Sequence, residues 1–295
     1  MTKQLITSGQ RKQILRFSED AFEKALNEAC LEKDGAQRII EHGDEFSLAV
    51  KNSTLALFRN LSVSDKFKNE QVESTYGYLS GYKKPIKVSD QIDILHGFWP
   101  GLKTDKVSQI LKNYSNLDIP DWIEGLFAII RPEFFSDKYG EELEEVLKAL
   151  SKSRKEKFIN YRENQLGPEY LRQTQKTITA LQKITEQQDS DILILPAQFG
   201  IKHRGKSVRR ARETFEQHEF GTNSKDTATM LITHLNRLQH YDDLWIDCSG
   251  DEFSGAADPF SYAPYFYFFF GRVKFFTYWF GSAHSFCGSV SGFSQ

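Results

Sequence analysis

Disulfide chemistry is the first thing this chain lacks. Its 295 residues hold three cysteines, Cys30, Cys248 and Cys287, too few and too scattered for a cross-linked framework. An odd, unpatterned set points to a reducing, cytoplasmic compartment. Long apolar runs are missing as well. No stretch approaches the ~18 apolar residues that a membrane-spanning helix needs, and MTKQLITSGQRKQILRF at the start has no apolar block like that of a signal peptide. No membrane partner is expected. Charge of one sign is lacking too: 38 Lys and Arg face 40 Asp and Glu, a net charge of −2. Any nucleic-acid surface is then a local patch and not a global field. The seven His form neither H-E-x-x-H nor H-x-E…C-x-x-C, which argues against a zinc enzyme. A serine nucleophile lacks its G-x-S-x-G elbow, and no internal repeat is visible.

Aromatic residues, by contrast, crowd one end. From Phe253 to Gln295 the chain carries 11 of its 24 Phe, four of its 12 Tyr and one Trp. That end is either deeply buried or presents rings to a partner. YFYFFFGRVKFFTYWF reads as a hairpin turning near Gly271-Arg272. Because both faces of YFYFFF are aromatic, core packing is the first reading. Stacking of bases on Tyr265, Tyr267, Phe269 and Trp279, with Lys274 and Arg272 alongside, is the second.

Upstream, apolar residues recur at helical spacing over 18–61, with a break at Gly43 and a drawable helix–turn–helix around IIEHGDEF. STYGYLSGYKKP reads as a loop or short hairpin, DQIDILHGF as a short helix and GLFAII as a strand. A long helical stretch runs from Glu141 to Gly167 and resumes at Pro168. DILILP and DLWIDC are short strands. KSVRRARETFEQ is a helix, and SKDTATMLITHLNRLQ is another that buries Leu231, Leu235 and Leu238. The expected fold is α+β: a helical N-terminal half, then a mixed C-terminal half on an aromatic-rich, largely antiparallel sheet. Three regions are drawn: 1–138, mainly helical; 139–188, a long helical connector; and 189–295, mixed, with packing as a single domain left open.

Two short patterns carry the chemistry. GIKHRGKS at 200–207 has the form G-x-x-x-x-G-K-S of phosphate-cradling loops, and Asp247 opens a D-x-x-G further on. Against this, Ile201, Lys202, His203 and Arg204 are bulky where a loop wrapping an anion favours small residues. Pro196 and Gln198 separate the strand from the first glycine. No N-K-x-D motif follows, and the nearest upstream candidate, LKTD at 102–105, lacks the asparagine.

The same stretch is strongly basic: Lys202, Arg204, Lys206, Arg209, Arg210 and Arg212 with His203. Ser207 is a good N-cap, and arginines in the first turns oppose the helix dipole. Arg209–Glu213 and Arg212–Glu216 pair at i,i+4. Arg210 and the upstream cations look unpaired, which favours an external anion. Asp247, Asp251 and Glu252, with Asp242, Asp243 and Asp258 nearby, form an acidic set at a strand end. It is a candidate for holding Mg²⁺ or Mn²⁺ in phosphodiester hydrolysis, assisted by His203 or Lys206.

The leading expectation is a binder of nucleic acid or another phosphate-bearing ligand through 202–212, with Lys202, Arg204, Lys206, Ser207, Arg209 and Arg210 as the contacts. The alternative is an enzyme, a nucleotide hydrolase or Mg²⁺-dependent phosphodiesterase. There Lys206 holds phosphate, Ser207 and Asp247 bind metal and Glu252 positions water. A third is a non-catalytic assembly subunit that docks through its charged helices over 141–188. Ligand identity, oligomeric state and any activity stay open at this stage.

Overall fold

In the computed structural model, residues 6–61, 66–115, 117–255 and 258–294 are described. The chain divides at residue 62 into a small helical unit and a large α+β unit.

The small unit is three helices: α1 (Ser8–Ala29), α2 (Lys33–Glu41) and α3 (Gly43–Leu61). Its start lies ten residues before the expected one. Thr7 accepts from the Gln10 N–H, and Gln10 bonds back to the Thr7 backbone, a reciprocal cap that the pattern around Ser18 does not reveal. Only His42 separates α2 from α3, so the three- to four-residue turn of a DNA-reading motif is missing here. No residue of α1 or α2 is buried.

The large unit begins with an irregular stretch, then α4 (Val88–Phe98), α5 (Val107–Tyr114) and β1 (Gly125–Ile130). Next come α6 (Tyr139–Ser153), β2 (Phe158–Asn160), β3 (Leu171–Gln173), α7 (Gln175–Gln188) and β4 (Ile192–Gln198). After them follow α8 (Val208–Glu213), β5 (Glu219–Gly221), α9 (Ser224–Thr233), β6 (Trp245–Asp247) and β7 (Asp251–Phe253). The chain closes with β8 (Tyr262–Phe269), β9 (Arg272–Trp279), β10 (Cys287–Ser289) and β11 (Ser291–Phe293).

One sheet has the order β1-β4-β11-β5 and is antiparallel throughout. Phe127–Ile130 and Ile192–Gln198 are buried at every position, because α4 and α9 pack on β1 while α5 and α7 pack on β4. Such doubly covered strands read as continuous apolar runs, which is why GLFAII and DILILP are recognisable. The second sheet has the order β10-β6-β8-β7-β3, with β9 on the free side of β8 and β2 beyond it. Only β10 on β6 and β2 on β9 are parallel. The α+β fold and the aromatic, largely antiparallel C-terminal sheet are both present.

Three expected helices differ. The connector ends at Ser153, where Arg154 turns inward to donate to the Leu231, Leu235 and Arg237 carbonyls at 2.8–3.1 Å. Two short strands then precede α7. The helix after Ser207 stops after six residues. The next helix, α9, stops at Thr233 and is buried all round, so Leu235 is exposed while Leu231 and Leu238 are enclosed. Among the described residues no helix is long and apolar enough to cross a membrane.

Candidate functional site

The glycines of GIKHRGKS serve chain packing. Gly200 and Gly205 have φ of 117° and 76°, the left-handed region that suits glycine. A Cβ on Gly200 would meet the Gly288 carbonyl, and one on Gly205 the Val72 carbonyl. Ile201–His203 makes a single tight turn between them. Every backbone N–H from Gly200 to Ser207 is already engaged inside the chain at 2.5–3.5 Å, with acceptors that include Gln198 Oε1, the Tyr78 hydroxyl and the Cys287 and Glu70 carbonyls. A phosphate cradle needs those donors free.

The basic side chains are spoken for in the same way. Lys202 Nζ lies 2.8 Å from Glu216 Oε1 and 2.7 Å from Glu219 Oε2. Arg209 clamps Glu70, which also accepts from Ser207 Oγ at 2.7 Å. Arg212 binds the Ser249 and Asp251 carbonyls and Glu252. Arg210 corrects its expected lack of a partner: Nη1 donates to Glu213 Oε2, three residues on, at 2.7 Å. Ser207 caps α8 by accepting from the Arg210 N–H at 3.0 Å. His203, fully buried, lies 2.6 Å from Glu219 Oε1. Burial keeps the imidazole neutral, so Nε2–H donates to Glu219, and Nδ1 accepts from Lys206 Nζ at 3.4 Å. Burial alone would raise the Glu219 carboxyl, but the His203 hydrogen bond and the Lys202 charge hold it below the usual carboxylate range. Lys206 is depressed by its own burial and also donates to Thr214 Oγ1. Of the expected binding residues, only Arg204 is exposed and free of a carboxylate among the described residues; it donates to the Tyr76 carbonyl at 3.0 Å.

The acidic set does not converge. Asp251 and Glu252 are adjacent in a strand and point to opposite sides. Asp251 accepts from the Tyr139 hydroxyl and the Ser224 N–H, both at 2.7 Å, whereas Glu252 takes Arg172 and Arg212. Asp247 is fully buried beside Tyr278, and no hydrogen bond or ion pair joins it to Lys206 or Ser207. Burial pushes Asp247 up to about 7, Asp226 to about 7 and Asp251 to about 6. Asp243 is a loop organiser, accepting from the backbone N–H groups of Leu79, Ser80, Gln239 and His240. Among the described residues no group of three or more His, Cys, Asp or Glu could hold a metal ion.

What does converge is the face of the second sheet turned away from the core. Along β8 the even positions Phe266 and Phe268 pack inward with Phe275, while Tyr265, Tyr267 and Phe269 line the other side. Trp245, on the neighbouring strand, lies 4.6 Å from Tyr267 and 5.7 Å from Tyr265, stacked on the latter within 12°. Phe286 is 4.5 Å from Trp245, His284 stacks on Phe286 at 5.0 Å and 15°, and Tyr76 closes the row at 6.2 Å. Tyr265 is buried beneath the row; the rings of Tyr76, Trp245, Tyr267, Phe269, His284 and Phe286 are half-buried, so their outer surfaces meet solvent. Comparison with known proteins adds nothing to this geometry. No family model, curated protein or solved structure matches the chain.

Cations flank the row. At one end Arg204 holds the Tyr76 carbonyl, and residue 204 bridges to Gly288. At the other, the buried Lys274 has its Nζ 5.1–5.9 Å from the rings of Phe269, Tyr161, Tyr267 and Phe270, with the exposed Arg272 beside it. None of the three forms an ion pair with a carboxylate among the described residues. Trp279 does not join the row: it pairs with Tyr262 on the opposite side and stacks with Arg209. The missed residues Trp245, Phe286 and Tyr76 come from three distant segments, brought together by the pairing of β6 with β8 and β10 and by the bridge of Gly77 to Asp243.

Proposed function

We propose that this protein binds single-stranded nucleic acid across the aromatic face of its second sheet. The observation that carries the reading is a row of half-exposed rings in mutual contact from Tyr267 through Trp245 and Phe286 to Tyr76 and His284, with an exposed arginine, unpaired among the described residues, at each end, Arg204 and Arg272. Bases of any sequence stack on such rings, and phosphates pair with the flanking charges. The near-neutral chain suits a partner held by local stacking and not by a long-range field. Segment 202–212 contributes Arg204 alone; acids of the same chain neutralise Lys202, Arg209, Arg210 and Arg212, and Lys206 is held by His203 and Thr214.

The test is fluorescence anisotropy with labelled oligo(dT) and oligo(U) at several salt concentrations. Tyr267→Ala and Trp245→Ala each lose about 1–3 kcal/mol of binding, roughly 5- to 150-fold. Arg204→Gln and Arg272→Gln each lower the slope of log K against log salt by about 0.7. Wild-type protein that fails to bind either oligomer at low salt excludes the reading.

A further inference from the structure

A second recess lies apart from the ring row. It is a cleft of about 470 Å³ between the chain that follows β2 and the ends of β7, β8 and β9, within the size of small-molecule sites, ~300–1,000 Å³. Its charged group is Arg162. The guanidinium lies 4.4 Å from the centre of Phe276 and 4.9 Å from that of Phe253, so two rings fix its plane. Nη1 donates to Gln165 Oε1 at 3.1 Å, Nε is buried without an acceptor, and no carboxylate pairs with it among the described residues. Thr277 lines the same cleft; it is 3% exposed, and its hydroxyl has no partner among the described residues.

Glu169 and Ser254 also line the cleft, and the remaining walls are aromatic. Tyr170 stacks on Phe253 at 6.3 Å and 19°, and Tyr262 lies so close to Gly255 that a Cβ there would strike its ring. Backbone bonds from Ser254 N–H to the Tyr170 carbonyl (2.6 Å) and from Tyr170 N–H to the Gly167 carbonyl (2.9 Å) hold these walls in place. A fork-shaped cation that forms no ion pair among the described residues, even with Glu169 in the same cleft, an unanswered buried hydroxyl and aromatic walls are complementary to one kind of molecule.

We propose that this cleft binds a small organic anion with a flat aromatic body. The oxyanion docks on Arg162, the ring lies against Tyr170 and Tyr262, and a hydroxyl or ring nitrogen satisfies Thr277. A nucleoside monophosphate and an aromatic carboxylate share that chemistry. Isothermal titration of the full chain with AMP and with 4-hydroxybenzoate separates the two, with adenosine, phenol and inorganic phosphate as counterparts lacking the charge or the ring.

At least one of the two anions binds with Kd below about 1 mM and at least roughly tenfold tighter than each counterpart. AMP alone identifies a nucleotide, 4-hydroxybenzoate alone an aromatic acid, and both together a general aromatic-anion site. Arg162→Gln weakens binding roughly tenfold or more, and the isosteric Thr277→Val about fivefold. Trp245→Ala leaves it unchanged, so this proposal and the sheet-face reading fail independently. Absence of binding by both anions overturns it, as does inorganic phosphate binding as tightly as AMP. Unchanged affinity in both folded variants overturns it too.

Discussion

Lys206 and Asp247 show how burial decides what a charged residue does. Each matches a motif position, yet Lys206 faces an imidazole and a threonine, and Asp247 lies under a tyrosine-rich sheet with no cation bound to it among the described residues. Asp247 is therefore a group that folding prefers protonated. Its pKa, raised from 3.8 to about 7, means that its favourable contribution is complete below the unfolded value and is lost as pH climbs through 7. A rise of that size corresponds to roughly 4 kcal/mol. Asp247→Asn cannot ionise, so its stability should fall less between pH 4.5 and 7.5 than that of the wild type. Urea denaturation at the two pH values measures this, and parallel profiles would count against the assignment. Glu219 has the opposite sign: held below its usual value of 4.5, it stabilises above about pH 4.5 and loses that contribution as pH falls below it.

At the scale of elements, the β8–β9 hairpin is the best example of local sequence setting local structure. Its two-residue turn, Phe270-Gly271, has φ of 50° and 72°, the doubly left-handed geometry that favours Asn-Gly. Gly fits; Phe270, 84% exposed, does not. Phe270→Asn should raise stability by about 0.5–1 kcal/mol, and Gly271→Ala should lower it by at least as much; thermal melts read both. A melting point lowered by Phe270→Asn would contradict the turn assignment. The apolar runs of β1 and β4 and this hairpin are legible because their signals are contiguous. The end of α6 is not, because remote partners set it: Arg154 is drawn to carbonyls around 231–237.

At the scale of the molecule, the same distinction separates the two candidate sites. The basic segment is conspicuous in one dimension, but Lys202, Arg209, Arg210 and Arg212 are neutralised in three by Glu70, Glu213, Glu216, Glu219 and Glu252. Of these partners, Glu213 at i,i+3 from Arg210 is readable from the helix period alone. The ring row is the reverse case. Tyr265, Tyr267 and Phe269 are conspicuous as part of one aromatic run, but Tyr76, Trp245, His284 and Phe286 join them only through sheet pairing and the loops it positions.

Photocross-linking with an oligonucleotide carrying 5-iodouracil, followed by peptide mass spectrometry, asks directly where the nucleic acid lies. Adducts on Trp245, Tyr267 or Phe286 are the predicted result. Adducts confined to 202–212, or none at saturating oligonucleotide, would contradict the sheet-face site.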